Sequence, residues 1–119
     1  MSDKNKTILK KGNAAILAGN YDGFLEFCTE DTLWEFVGEQ TLQGKQAVSE
    51  YMKEVYLEAP KFTVDNMVEE GDYLTVIGEI ALKQMDGKWL AYDYCDVWRF
   101  EGDKIASLRG FVIAKMPAK

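Results

Sequence analysis

Asp96 is the residue in this chain whose surroundings demand a chemical reason. It lies in the run KWLAYDYCDVWRFEGDKIASLR, residues 88–109, which reads as two strands joined at Gly102-Asp103. Side chains alternate along a strand, so Leu90, Tyr92, Tyr94, Asp96, Trp98 and Phe100 share a face. Ionising a carboxylate among aromatic rings is costly, so either a cation neutralises Asp96 or the group keeps its proton at neutral pH. A neutral carboxyl there can donate to a carbonyl oxygen, and its ionised form can take a proton from the carbon alongside. Glu35 is the second carboxylate of interest. It interrupts a strand predicted over 32–37, where Leu33 and Val37 share its face and Trp34 and Phe36 take the other. It reads either as a general base or as a strand-end carboxylate reaching solvent.

The composition narrows the chemistry further. The chain has no histidine, which removes Ser-His and Cys-His nucleophilic schemes and the commonest metal ligand. Cys28 and Cys95 lack CxxC spacing and read as free thiols, not as a disulfide framework or a zinc site. Carboxylates interleaved with aromatic residues make poor metal sites, so neither a metal nor another cofactor is expected. A net charge of -6 argues against binding a phosphate backbone, so nucleic acid is not an expected partner. The stretch MSDKNKTILKKG carries charge where an export signal needs apolar residues, and no apolar run approaches membrane-spanning length. A cytoplasmic location without a membrane partner is expected.

Positioning these groups falls to a chain of 119 residues, expected to form a single domain over 1–119 with one core and at most one pocket. Ile8, Leu9, Gly12, Ala15 and Ile16 recur at helical spacing, predicting a helix over about 4–18 that stops at Gly19-Asn20. A short second helix over 21–27 carries Phe24, Leu25 and Phe27, and residues 38–44 read as a loop. Val48, Tyr51, Met52, Val55 and Tyr56 mark a third helix over 45–57. Beyond Pro60, turn residues at Gly71-Asp72, Asp86-Gly87 and Gly102-Asp103 divide the chain into antiparallel strands over about 61–69, 73–85, 88–101 and 104–115. Gly78 and Gly110, inside strands, mark bulges or close approaches that curl the sheet. Helices first and a long sheet last is the α+β pattern. The expected architecture is a curved, four- to six-stranded, mainly antiparallel sheet wrapped around three N-terminal helices, forming a cone with one pocket.

Register decides which side chains meet. A two-residue turn at Asp86-Gly87 sets Ile77 opposite Asp96 and Glu79 opposite Tyr94, on one face, so Glu79 joins the candidate lining. Val76, Ile80 and Leu82 then face outward with Ala91, Cys95 and Val97, an apolar surface that predicts a homodimer through the outer sheet face. The same arithmetic at Gly102-Asp103 puts Arg109 opposite Asp96 as an ion-pair partner. Against this, Ala106, Leu108, Gly110, Val112 and Ala114 form a small or apolar set that suits the concave face. One bulged residue near the turn would send Arg109 outward, and both arrangements stay open at this level.

The segments DVWRFEGDKIASLR, ILAGNYDGF and WEFVG followed by Gly44 resemble ketosteroid isomerase and its wider superfamily. That superfamily includes SnoaL-like polyketide cyclases and nuclear transport factor two-like domains. The resemblance runs from Lys4 to Lys115 and implies a curved-sheet cone, a fold that hosts several unrelated functions. It places Asp96 where the isomerase keeps a protonated aspartate in its oxyanion hole, and Glu35 where it keeps a general-base aspartate. The isomerase's two site tyrosines correspond to Gly12 and Met52, so both hydroxyls are missing, and Tyr51, Tyr56 or Tyr94 is the available substitute. The implied function is binding of a hydrophobic, oxygen-bearing small molecule, with isomerase- or cyclase-like proton abstraction next to a carbonyl by Glu35 and Asp96. The alternative is a ligand-binding or protein-interaction module without chemistry. Tyr51, Tyr56, Glu79, Tyr92, Tyr94, Trp98, Leu108 and Val112 are the expected binding residues.

Overall fold

The computed structural model describes residues 3–115. Helix α1 (Lys4–Leu17) forms because Asn5, Leu9, Gly12 and Ile16 fall on one stripe and are buried together. It ends in the paired hydrogen bonds that a left-handed glycine permits. Gly19, at φ 78°, donates to the Ile16 carbonyl at 2.9 Å, and Asn20 donates to the Ala15 carbonyl at 2.8 Å. Asn20 then caps α2 (Tyr21–Leu25), its Oδ1 accepting from the Gly23 N–H at 3.0 Å. Gly12 is required by close packing: a Cβ there would stand 2.8 Å from the ring of Phe24, which the bare backbone allows to bury completely. The third helix, α3 (Lys45–Val55), buries Val48 and Met52. Among the described residues no helix is long and apolar enough to cross a membrane.

The strands are β1 (Cys28–Phe36), β2 (Gln40–Gln43), β3 (Lys61–Glu70), β4 (Tyr73–Lys83), β5 (Trp89–Glu101) and β6 (Lys104–Ala114). They form one six-stranded sheet in the order β2-β1-β6-β5-β4-β3, antiparallel throughout except where β1 lies parallel to β6. The α+β class, the three helices and the final antiparallel run are as expected. The loop predicted over 38–44 contains β2, whose segment QTLQ has too little apolar character to signal a strand. Its backbone pairing with β1, Trp34 to Leu42 and Phe36 to Gln40, makes it one.

Two bulges bend the antiparallel part of the sheet, and the parallel β1–β6 pairing is also irregular between Cys28 and Leu33. In β3 the register against β4 shifts between Val64 and Asn66, leaving Asp65 extra. In β6 Ala106 is extra, because Arg99 pairs with Ser107 while Phe100 pairs with Ile105. That second bulge settles the register left open by the sequence: Gly110, not Arg109, lies opposite Asp96. Gly78 and Gly110 are close approaches, not bulges. A Cβ on Gly78 would land on the Thr63 carbonyl oxygen, and one on Gly110 would stand 3.2 Å from Asp96 Oδ1 and 3.3 Å from the Phe36 ring.

The β4–β5 turn departs from expectation. Lys83 pairs with Trp89, so the connection spans residues 84–88 and not two residues. Its backbone closes through Gln84 N–H to the Lys88 carbonyl at 2.8 Å and Gly87 N–H to the Gln84 carbonyl at 2.9 Å, while Asp86 Oδ1 accepts from the Lys88 N–H at 2.9 Å. The register moves by one residue, Val76 lies opposite Asp96, and every β4 side chain changes face. Val76, Ile80 and Leu82 therefore belong to the concave side, and the outer face expected to hold them presents Ile77 and Glu79 instead. Leu9, Phe24, Val48 and Met52 from the helices pack on Leu74, Trp98, Phe100 and Ile105, filling one part of the cone.

Candidate functional site

The rest of the concave face is not filled. It encloses a cavity of about 600 Å³, walled by α1 and α3 on one side and by the inward residues of β1, β4, β5 and β6 on the other. Alternation along β5 delivers Tyr92, Tyr94, Asp96 and Trp98 to this space, and β6 adds Leu108 and Val112. Helical spacing on α3 brings Tyr51, with Tyr56 just past the helix end. The aromatic walls hold one another, Trp34 edge-on to Trp98 at 5.5 Å and Phe36 stacked on Tyr51 at 4.9 Å between ring centres, while Tyr21, outside the lining, supports Tyr56 in a tilted contact at 5.4 Å. Such a surface suits an apolar, flat ligand.

Asp96 is the polar centre of the cavity. Its carboxyl rests over the bare backbone of Gly110, and among the described residues no hydrogen bond or ion pair reaches it. Part of its surface stays accessible because it faces the cavity, but protein atoms otherwise surround it. Burial pushes its pKa up to about 7, so both protonation states are populated near neutrality. Three tyrosine hydroxyls lie within reach of its charge. Burial raises Tyr51 to about 12, with Glu39 and then Asp96 adding to the effect, and raises Tyr94 to about 12 with help from Asp96. Tyr56 is raised by burial first, then by Tyr51 and Asp96. The Tyr94 O–H is already committed, donating to the Thr63 carbonyl at 2.7 Å. Among the described residues the Tyr51 and Tyr56 hydroxyls have no hydrogen-bond partner, so of the three candidate substitutes these two, on α3 and at its end, are uncommitted.

Two expected site residues lie elsewhere. Glu35 pairs in register with Arg109 on the outer face, Oε1 standing 3.6 Å from Arg109 Nε, and it does not line the cavity. Trp34 and Phe36 take the inward positions of β1 because burying two large rings outweighs burying one carboxylate. Glu79, turned outward by the β4 register, binds Lys115 Nζ at 2.9 Å. Tyr51, Tyr56, Tyr92, Tyr94, Asp96, Trp98, Leu108 and Val112 come together as expected. The lining also includes Phe36, Val76 and Ile80, and at its mouth Glu39 and Glu54, none of which the sequence reading had placed there. Phe36 and Trp34 were legible as a pair on one face; Glu39 sits in a turn, where alternation gives no signal.

With this geometry the chain can be set beside known proteins. No curated protein matches it in sequence. Its fold is similar to that of an NTF2-like protein of unknown function from Burkholderia pseudomallei, 19% identical over 92% of this chain and 90% of that one, with a TM-score of 0.80. It is also similar to an LEH-like epoxide hydrolase of M. tuberculosis, 12% identical over 93% of this chain and 84% of that one, TM-score 0.83. A candidate ketosteroid isomerase from Kribbella flavida is 12% identical over 99% of this chain and 84% of that one, TM-score 0.81. At these identities the likeness shows the NTF2-like fold and no activity. The profile of the SnoaL-like domain matches residues 10–108, which run from within α1 into β6 and include Asp96, and the chain therefore belongs to the SnoaL-like domain family.

Proposed function

We propose that this protein binds an apolar, oxygen-bearing small molecule in the cone and moves a proton beside its carbonyl group, as an isomerase or cyclase does. The observation that carries this reading is Asp96, a carboxyl without a partner among the described residues, inside an aromatic cavity and with a pKa raised to about 7. With Glu35 outside, one carboxyl has to serve as both acid and base. Ionised Asp96 takes a proton from the carbon next to the carbonyl, the Tyr51 and Tyr56 hydroxyls hydrogen-bond the developing enolate oxygen, and protonated Asp96 returns the proton. The test is exchange of the α-protons of a cyclic aryl ketone with deuterated water, followed by NMR. Wild type should accelerate exchange, and Asp96→Asn should lose about 100-fold or more of that acceleration. Equal rates for the two proteins would remove the acid–base role.

A second reading is a binding domain without chemistry. The position of Glu35 on the outer face, and the absence of hydroxyls at Gly12 and Met52, favour it. Ketone binding without exchange is its outcome. Under either reading a second copy covers the outer face, where Ile77 is 45% and Ile113 67% exposed. Sedimentation at roughly micromolar concentration checks this, and a monomer would exclude it.

A further inference from the structure

We propose that the ligand is a cation, an apolar amine whose ammonium group rests at the cavity mouth between Glu39 and Glu54. This rests on the reading of the cavity as the ligand site. Among the described residues, the charged side chains lining that cavity are Glu39, Glu54, Asp96 and Lys83. Lys83 is already engaged by Glu58, outside the lining, so its charge is spent before a ligand arrives. Glu39 and Glu54 are exposed, and among the described residues neither has an ion-pair partner.

A pair of surface carboxylates is ordinary. These two differ because they edge a cavity whose buried end presents Asp96, without a partner among the described residues. They also fall in one sector of the rim, since Glu54 lies one helical turn past Tyr51 on α3 and the charge of Glu39 reaches the Tyr51 hydroxyl. The aromatic pair Tyr51 and Phe36, stacked at 4.9 Å, lines the same cavity and gives the apolar part of such a ligand a flat surface. Among the described residues a carboxylate or phosphate ligand would meet three acidic groups and one base, Lys83, already paired with Glu58. A neutral ketone would be indifferent to Glu39 and Glu54. An ammonium group accounts for both rim carboxylates and leaves the oxygen-bearing end free to reach Asp96.

Three probes of matched shape separate these cases: naphthylmethylammonium, acetylnaphthalene and naphthoate, titrated calorimetrically at low ionic strength. The ammonium probe should bind roughly fivefold tighter than the ketone, as expected for two partly exposed charge contacts, and the naphthoate should bind weakest. The double variant Glu39→Gln/Glu54→Gln, altered only at exposed positions, should lose the ammonium advantage and keep the ketone affinity. Ketone binding equal to or tighter than ammonium binding, or an advantage that survives the double variant, overturns the inference and leaves the proposed function standing. Failure of every probe to bind removes both.

Discussion

Asp93 and Asp96 lie on opposite faces of β5. Asp93 faces outward, with Lys115 Nζ 3.2 Å away, and that same lysine also binds Glu79 across the strand pair. Hydrogen bonds to Glu79 and Asp93 raise the Lys115 pKa. Asp96 faces inward, meets no cation among the described residues, and is raised to about 7 by burial. The two residues share a type and a strand, so neither sets their chemistry. What each side chain faces does: solvent and a cation on one side, aromatic rings on the other. The concave face is accordingly where substitutions should be felt, and the convex face where they should be absorbed.

The largest break comes from Gly78→Ala. Its Cβ would collide with the Thr63 carbonyl, which cannot retreat without parting β3 from β4, and would press on the Tyr94 ring. A loss of about 3 kcal/mol or more is expected from urea unfolding. Asp96→Asn should act in the opposite direction. The folded protein holds the Asp96 proton up to about pH 7, whereas the unfolded chain releases it near a pKa of about 3.9. Between those values the folded state binds more protons, so unfolding free energy falls as pH rises from about 4 to about 7 and levels off above. The variant lacks this fall and should be more stable at pH 7.5 by on the order of 2 kcal/mol, with no gain at pH 3.5. Denaturant curves across that range decide it, and a variant less stable at neutral pH would mean that a cation reaches Asp96.

Tyr94→Phe sharpens the contrast at smaller scale. It removes the 2.7 Å hydrogen bond to the Thr63 carbonyl, which should cost about 1 kcal/mol in the same measurement. Smallest of all, Asp93→Asn and Glu35→Gln on the outer face should each change stability by about 0.5 kcal/mol or less, since both break exposed ion pairs. A larger effect in dilute monomer would contradict the division between the faces.

The sequence by itself determined what depends on local spacing. The stripe of α1, its stop at Gly19-Asn20, the alternation of β5 and the turn at Gly102-Asp103 all follow from preferences within a few residues, so the α+β cone and the inward face of Asp96 were legible there. The resemblance of DVWRFEGDKIASLR to the isomerase superfamily pointed to the same residue. Only the tertiary structure decided which carboxylates share the cavity. Glu79 left it because hydrogen bonds within residues 84–88 lengthened one turn and moved the register by a residue. Glu35 left it because β1 lies parallel to β6, a long-range pairing that sets Trp34 and Phe36 inward and Glu35 beside Arg109. Glu39 and Glu54 joined its mouth because the cone brings the β1–β2 turn and the end of α3 to one rim. Period-two patterns specify alternation but not its phase, and the phase is set by turns and by strands far apart in the chain.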